Sequence, residues 1–192
     1  MKIDSHFGGA QDLVEIFKCD SDVISFDLPV FPLKNGQFLC TQSSLGMFTH
    51  FQHSSTTHAV DFRCPIGTPV LSVCNGVVLS AGGCRSSLDN NDNDLVINGG
   101  IHVSNLFAWN GVVIKSDLGF IFEYIHIHHE GILVKEGDRV KEGDILCLSG
   151  QSGFCPEPHL HIEAHKEGKE QSSVRLTWKG LSFQAGFIYG SC

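Results

Sequence analysis

Basic residues are scarce in this 192-residue chain: 13 Lys and Arg stand against 21 Asp and Glu, a formal net charge of −8, and they form no cluster. A phosphate backbone would find no electropositive footprint, so nucleic acid is not an expected partner. Long apolar runs are missing as well, and none approaches the roughly 20 residues of a membrane-spanning helix. The opening stretch MKIDSHFGGAQDLVEIFKCD carries acids early and lacks the apolar segment of a secretory signal. The expectation is a cytosolic protein, or one exported without a cleaved signal. Eight cysteines lie at 19, 40, 64, 74, 84, 147, 155 and 192 with no CxxC pair among them. That spacing argues against a cysteine zinc site; small reduced side chains packed on strands are the expectation, and the even count also fits disulfides in an exported protein. Helical periodicity is equally rare, with AQDLVEIF at 10–17 the one helical candidate.

What is abundant is glycine, 21 residues, between short apolar runs. TPVLSVCNGVVLSAGG reads as two strands around Asn75–Gly76, and NGVVIKSDLGFIFEYIHIHH as a hairpin turning near Ser116 to Gly119. GILVKEGDRVKEGDILCLSG holds VKEGD twice, at 134–138 and 140–144, each Gly-Asp supplying a tight turn. The fold class predicted is mainly β, a sandwich or barrel-like sandwich. Residues 1–40 read as an N-terminal extension, 41–168 as the core, and 169–192 as a tail able to add edge strands. The insertion at 85–108 is acidic but lacks the glycine and final glutamate of an EF-hand, and reads as a solvated loop.

Eleven histidines carry the chemical signal. In CPEPHLHIEAH, strand alternation puts His159, His161, Glu163 and His165 on one face, with Leu160 and Ile162 opposite. Two imidazoles on one face can address one metal and its water. An HxH pair alone is weak, and its companions strengthen it. In EYIHIHH, a strand would place His126 and His128 beside Tyr124. In THFQHSSTTHAVDFRCPIGTPV, Asp61 sits between Val60 and Phe62, where a carboxylate is costly unless paired or metal-bound. Catalytic zinc takes three such ligands plus a water. Asp61, His161 and one upstream histidine would supply them, leaving His126 and His159 to handle protons.

These motifs resemble the lysostaphin-type (LytM-like) zinc endopeptidases, which cut peptide bridges in bacterial cell walls. The resemblance runs over about 120 residues, from GMFTH to HLHIE. HAVDFRCPIGTPVLSVCNGVV is similar to the family's first metal segment, EYIHI to its Tyr-x-His strand, and VKEGDRVKEGDILCLSGQSGFCPEPHLHIE to its closing segment. It implies Zn2+ on Asp61 and His161, with His126 and His159 catalytic, and an antiparallel β core of barrel-sandwich type. It implies a peptidoglycan or Gly-rich peptide substrate. One departure stands out: the common motif has its first ligand histidine four residues before the aspartate, where this chain has Thr57. GMFTH fits a variant form in which His50 is the first metal ligand, with His53 and His58 as alternatives. Glu163 and His165 are expected farther along the strand, either as hydrogen-bond partners of the ligands or, as the preferred reading, solvated. A non-catalytic binding module on the same fold is the rival reading, supported by Thr57. The paired VKEGD segments also resemble biotinyl and lipoyl carriers, but the exposed, apolar-flanked lysine of a carrier is absent.

Overall fold

A computed structural model describes residues 23–46, 48–50, 54–85, 99–101 and 108–191. The helical candidate at 10–17, His53 and most of the 85–108 insertion lie outside them.

Among the described residues every regular element is a strand. The first half contains β1 (Ser25–Leu28), β2 (Gly36–Gln42), β3 (Val60–Arg63), β4 (Pro69–Leu71), β5 (Gly76–Arg85), β6 (Ala108–Ser116) and β7 (Phe120–Ile125). The second half contains β8 (Ile127–Ile132), β9 (Arg139–Val140), β10 (Ile145–Ser149), β11 (His159–Lys166) and β12 (Lys169–Ser173). β13 (Arg175–Trp178), β14 (Leu181–Ser182) and β15 (Ile188–Ser191) close the chain. The large sheet runs β15-β2-β3-β11-β7-β6-β5-β9, with β12 also on β11; β4-β10-β8 and β1-β13-β14 form two smaller sheets. All pairings are antiparallel except β1 with β13. The β fold expected from the spacing of turns is the fold observed.

The apolar faces of these strands share one core, which includes Phe31, Phe62, Phe122, Tyr124, Leu146 and Ile162. Residues from before position 41 belong to it too: Leu28, Phe31, Leu33 and Phe38 are buried there. Phe62 meets Phe31 and Phe183 edge-on at ring separations of 5.0 Å each, the arrangement favoured by ring quadrupoles. Cys40, Cys64, Cys74, Cys147 and Cys155 are free and buried, as small apolar side chains are.

Both VKEGD turns form, and in the same way. Asp138 N donates to Lys135 O (3.1 Å) and Lys135 N to the Asp138 carboxylate (3.0 Å). Asp144 and Lys141 repeat this at 3.0 and 2.8 Å. Gly137 and Gly143 take φ of 86° and 85°, which explains the glycine in each. The Ser116–Gly119 turn also closes, Gly119 N to Ser116 O at 3.1 Å. The segment around Asn75–Gly76 differs from expectation. β4 and β5 both exist, but β4 pairs with β10 and β5 with β6 and β9. The chain crosses between sheets there instead of folding back. Gly76 is needed for close approach: a Cβ would lie 2.3 Å from Lys115 O.

Candidate metal and proton-transfer site

The site is built across three neighbouring strands. β3 and β11 pair with His161 directly opposite Asp61, and β11 pairs with β7 with His161 opposite Ile125. One residue beyond Ile125 is His126. Register alone therefore lines up Asp61, His161 and the end of β7.

Asp61 is 3% exposed. Its Oδ1 lies 2.9 Å from His161 Nδ1, 3.2 Å from His50 Nε2 and 3.8 Å from His159 Nε2. Burial is the largest single influence and raises the carboxyl's pKa, but the hydrogen bonds of His161 and His50 and the charges of His161 and His159 together outweigh it. The group is held well below the usual carboxylate range. Its other oxygen, Oδ2, accepts from Gln42 Nε2 at 2.7 Å.

Gln42 does more than orient Asp61. Its Nε2 also donates to Thr49 Oγ1 (3.0 Å), and its Oε1 accepts from Phe48 N and Thr49 N at 3.2 and 3.1 Å. One amide thus ties the Asp61 carboxylate to the loop that carries His50. Sequence reasoning missed this residue; a polar side chain ending the strand FLCTQ just before GMFTH was the one available hint.

His50 is fully buried. Its Nδ1 donates to Ser43 O at 3.2 Å. A carbonyl only accepts, so Nδ1 carries the hydrogen and Nε2 the lone pair. That Nε2 has no hydrogen-bond partner, although Asp61 Oδ1 is 3.2 Å away. Two acceptors facing each other at this distance leave a place for a cation. One ligand atom from each of His50, Asp61 and His161 lies within 4.8 Å of the other two. Two imidazoles and a carboxylate are donors that suit catalytic zinc, so the residues present fit such an ion.

His161 sits between two acids. Its Nδ1 meets Asp61 and its Nε2 meets Glu163 Oε2 at 3.3 Å. Burial lowers its pKa, and the two carboxylates more than reverse that, raising it to about 10. The pocket thus favours positive charge at this spot. Glu163 was expected in solvent, as was His165. Both are instead 6% exposed, because β11 is a central strand of the sheet. Glu163 fixes the far nitrogen of His161, which leaves Nδ1 for a metal. His165 Nε2 pairs with Glu123 Oε1 at 3.3 Å.

His126 and His159 stand beside this group, with ring centroids 4.6 Å apart. His159 Nδ1 donates to Glu157 O at 2.8 Å, and His126 Nδ1 to Ser152 O at 2.7 Å. Each therefore keeps the lone pair on Nε2. Burial, together with the charges of His159 and His161, drives His126 down to about 3. Regular alternation would put His126 on the face of Tyr124. It does not, because His126 has φ of 68° and ends β7. Tyr124 points into the core, its hydroxyl accepting from Val73 N at 2.9 Å, while His126 turns to His159. His128, expected beside His126, lies past the kink on β8 and accepts from Glu130 N.

His58, an alternative first ligand, is directed elsewhere: its Nδ1 is 3.1 Å from Ser44 Oγ and its backbone N donates to Ser173 Oγ. It is not among the three converging ligands.

The family model described as Peptidase family M23 matches residues 55–173. An uncharacterized metalloprotease of Buchnera aphidicola subsp. Baizongia pistaciae is 31% identical over 140 residues, covering 71% of this chain and 31% of that protein. The peptidoglycan DD-endopeptidase ShyA of Vibrio cholerae is 30% identical over 118 residues, 62% of this chain and 22% of its own length. The chain thus spans about a third or less of these relatives. Among solved structures, the antimicrobial peptidase lysostaphin from Staphylococcus simulans aligns with a TM-score of 0.50 at 25% identity, over 72% of this chain and 47% of that one.

Proposed function

The chain belongs to peptidase family M23, and from that premise we propose that it is a zinc-dependent endopeptidase that hydrolyses peptide bonds in the stem or cross-bridge peptides of peptidoglycan. The observation that carries this reading is the convergence of His50, Asp61 and His161 within 4.8 Å. The relatives named for peptidoglycan cleavage support the substrate class. The catalytic unit proposed is 41–168, with 1–40 and 169–192 as additions whose apolar residues, Leu28, Phe31, Leu33, Phe38 and Phe183 among them, pack into its core.

His50 Nε2, Asp61 Oδ1 and His161 Nδ1 would hold the ion. When bound, zinc supplies Lewis-acid polarisation of the scissile carbonyl and lowers the pKa of a water toward about 7. The protein's own groups do the rest. Ser152 O and Glu157 O hold the Nδ1 hydrogens of His126 and His159, so each Nε2 is ready to accept a proton from the attacking water. Once protonated, the same atom donates to the developing oxyanion or the departing amine. Glu163 keeps His161 turned so that Nδ1 faces the ion, and Gln42 does the same for Asp61 Oδ1.

Metal content of purified wild type, Asp61→Ala and His161→Ala tests the site. About one zinc in wild type, lost in both variants and accompanied by chelator-sensitive release of muropeptide amines, is expected. Zinc bound without hydrolysis of any cell-wall or Gly-rich peptide would overturn the peptidase reading in favour of a binding module. No zinc even after reconstitution would overturn the metal site itself.

A further inference from the structure

One buried nucleophile beside the site has no part in the hydrolysis above. Cys155 is 2% exposed and lies on the approach to β11, four residues before His159. Its Sγ is 3.2 Å from His159 Nδ1 and donates to Glu157 O at 3.0 Å. One ligand atom from each of His126, Cys155 and His159 lies within 4.8 Å of the other two. This second group shares no residue with His50, Asp61 and His161.

The two groups differ in donor chemistry. The first is two imidazoles and a hard carboxylate. The second is two imidazoles and a sulfur, a set that suits a thiophilic cation. The spacing suits one ion as well. Zinc–sulfur and zinc–nitrogen bonds at a tetrahedral angle put the two donor atoms roughly 3.5 Å apart, against 3.2 Å from Cys155 Sγ to His159 Nδ1. A shift of a few tenths of an ångström would complete the pair.

We propose that His126, Cys155 and His159 form a second metal site for thiophilic divalent cations such as Zn2+ or Co2+ in excess, and that filling it inhibits the enzyme. Binding exchanges the thiol proton for the cation: the S–H bond breaks, the sulfur–metal bond forms, and the proton leaves to solvent, while the His159 ring hydrogen moves from Nδ1, where it was donated to Glu157 O, to Nε2, freeing the Nδ1 lone pair for the ion. The ion then occupies the two imidazoles that hydrolysis needs as proton acceptors. The inhibitory half rests on the function proposed above; the binding half does not. The second ion binds more weakly than the first, because a cation on Asp61 would lie close by: His159 Nε2 is only 3.8 Å from that carboxylate.

Cobalt titration of the metal-free protein separates the two sites. The first equivalent should fill the oxygen–nitrogen site without a thiolate signal. Excess cobalt should then bring up the near-ultraviolet thiolate-to-cobalt charge-transfer band. Asp61→Ala should lose the first equivalent and keep the band. Cys155→Ser should keep the first equivalent and lose the band, with Cys155→Ala as a second variant and His126→Ala weakening the band while leaving every thiol in place. Inhibition by excess zinc should weaken about tenfold or more in Cys155→Ser. A wild-type protein that shows no band in excess cobalt, or a band that survives Cys155→Ser and Cys155→Ala, would overturn the second site. Failure of hydrolysis with the band intact would instead remove the function proposed above and leave the second site standing.

Discussion

The two sides of the site are held by different means. Asp61 and His161 occupy adjacent, regular strands and face each other by ladder register. His50 and His126 are placed by irregular backbone, one on a loop tied down by Gln42 and the other on a left-handed kink. Regular strands fix a side chain through many shared hydrogen bonds, so no single residue is critical to its position. Irregular backbone fixes a side chain through one or two contacts, so position there depends on individual neighbours.

The comparison can be broken most severely on the regular side. Asp61→Ala or His161→Ala should abolish metal retention and take activity below detection, while circular dichroism remains that of a β protein. Next, His126→Ala and His159→Ala should each keep the metal and lower kcat by about 10²- to 10⁴-fold, as loss of a proton-transfer group does. Metal analysis beside kinetics distinguishes the two classes. A smaller effect comes from Gln42→Ala, which touches no metal yet releases the His50 loop. It should weaken metal affinity about 10- to 100-fold, measured by competition with a chelator.

The kink itself can be tested apart from chemistry. His126→Asn tolerates positive φ, whereas His126→Val does not. Denaturant unfolding should find the valine variant less stable than the asparagine variant by about 1–2 kcal/mol. The smallest effect concerns His165, whose pKa is raised, chiefly by its hydrogen bond to Glu123. A raised folded-state pKa stabilises fully below the ordinary value and is lost as pH rises through the folded one. The Tm difference between wild type and Glu123→Gln should therefore be larger at about pH 5.5 than at about pH 9.

The same contrast explains what could be read from the sequence. Turn residues gave the β class, and VKEGD gave both of its turns, because those signals are local. Alternation put His159 and His161 on one face of a strand, as regular strands require, while Asp61 was joined to His161 only through the ligand preferences of zinc and the family resemblance. His126 was expected on the correct strand but with the wrong neighbour, since nothing in EYIHI announces a positive φ. Glu163 and His165 were placed in solvent because a sequence does not say which strand lies in the middle of a sheet. Gln42 stayed hidden because its partners Phe48, Thr49 and Asp61 meet it only after β2 and β3 pair.

That single amide has a kinetic consequence. Because Gln42 holds both Asp61 and the His50 loop, the ion would not lose one ligand by a small side-chain rotation. Asp61 and His50 would loosen together, when the loop lifts. Release to a chelator should then proceed at the rate of loop opening and become independent of chelator concentration once the chelator is abundant. The protein would behave as a slow-exchange container for its metal, with a residence time set by backbone motion more than by affinity.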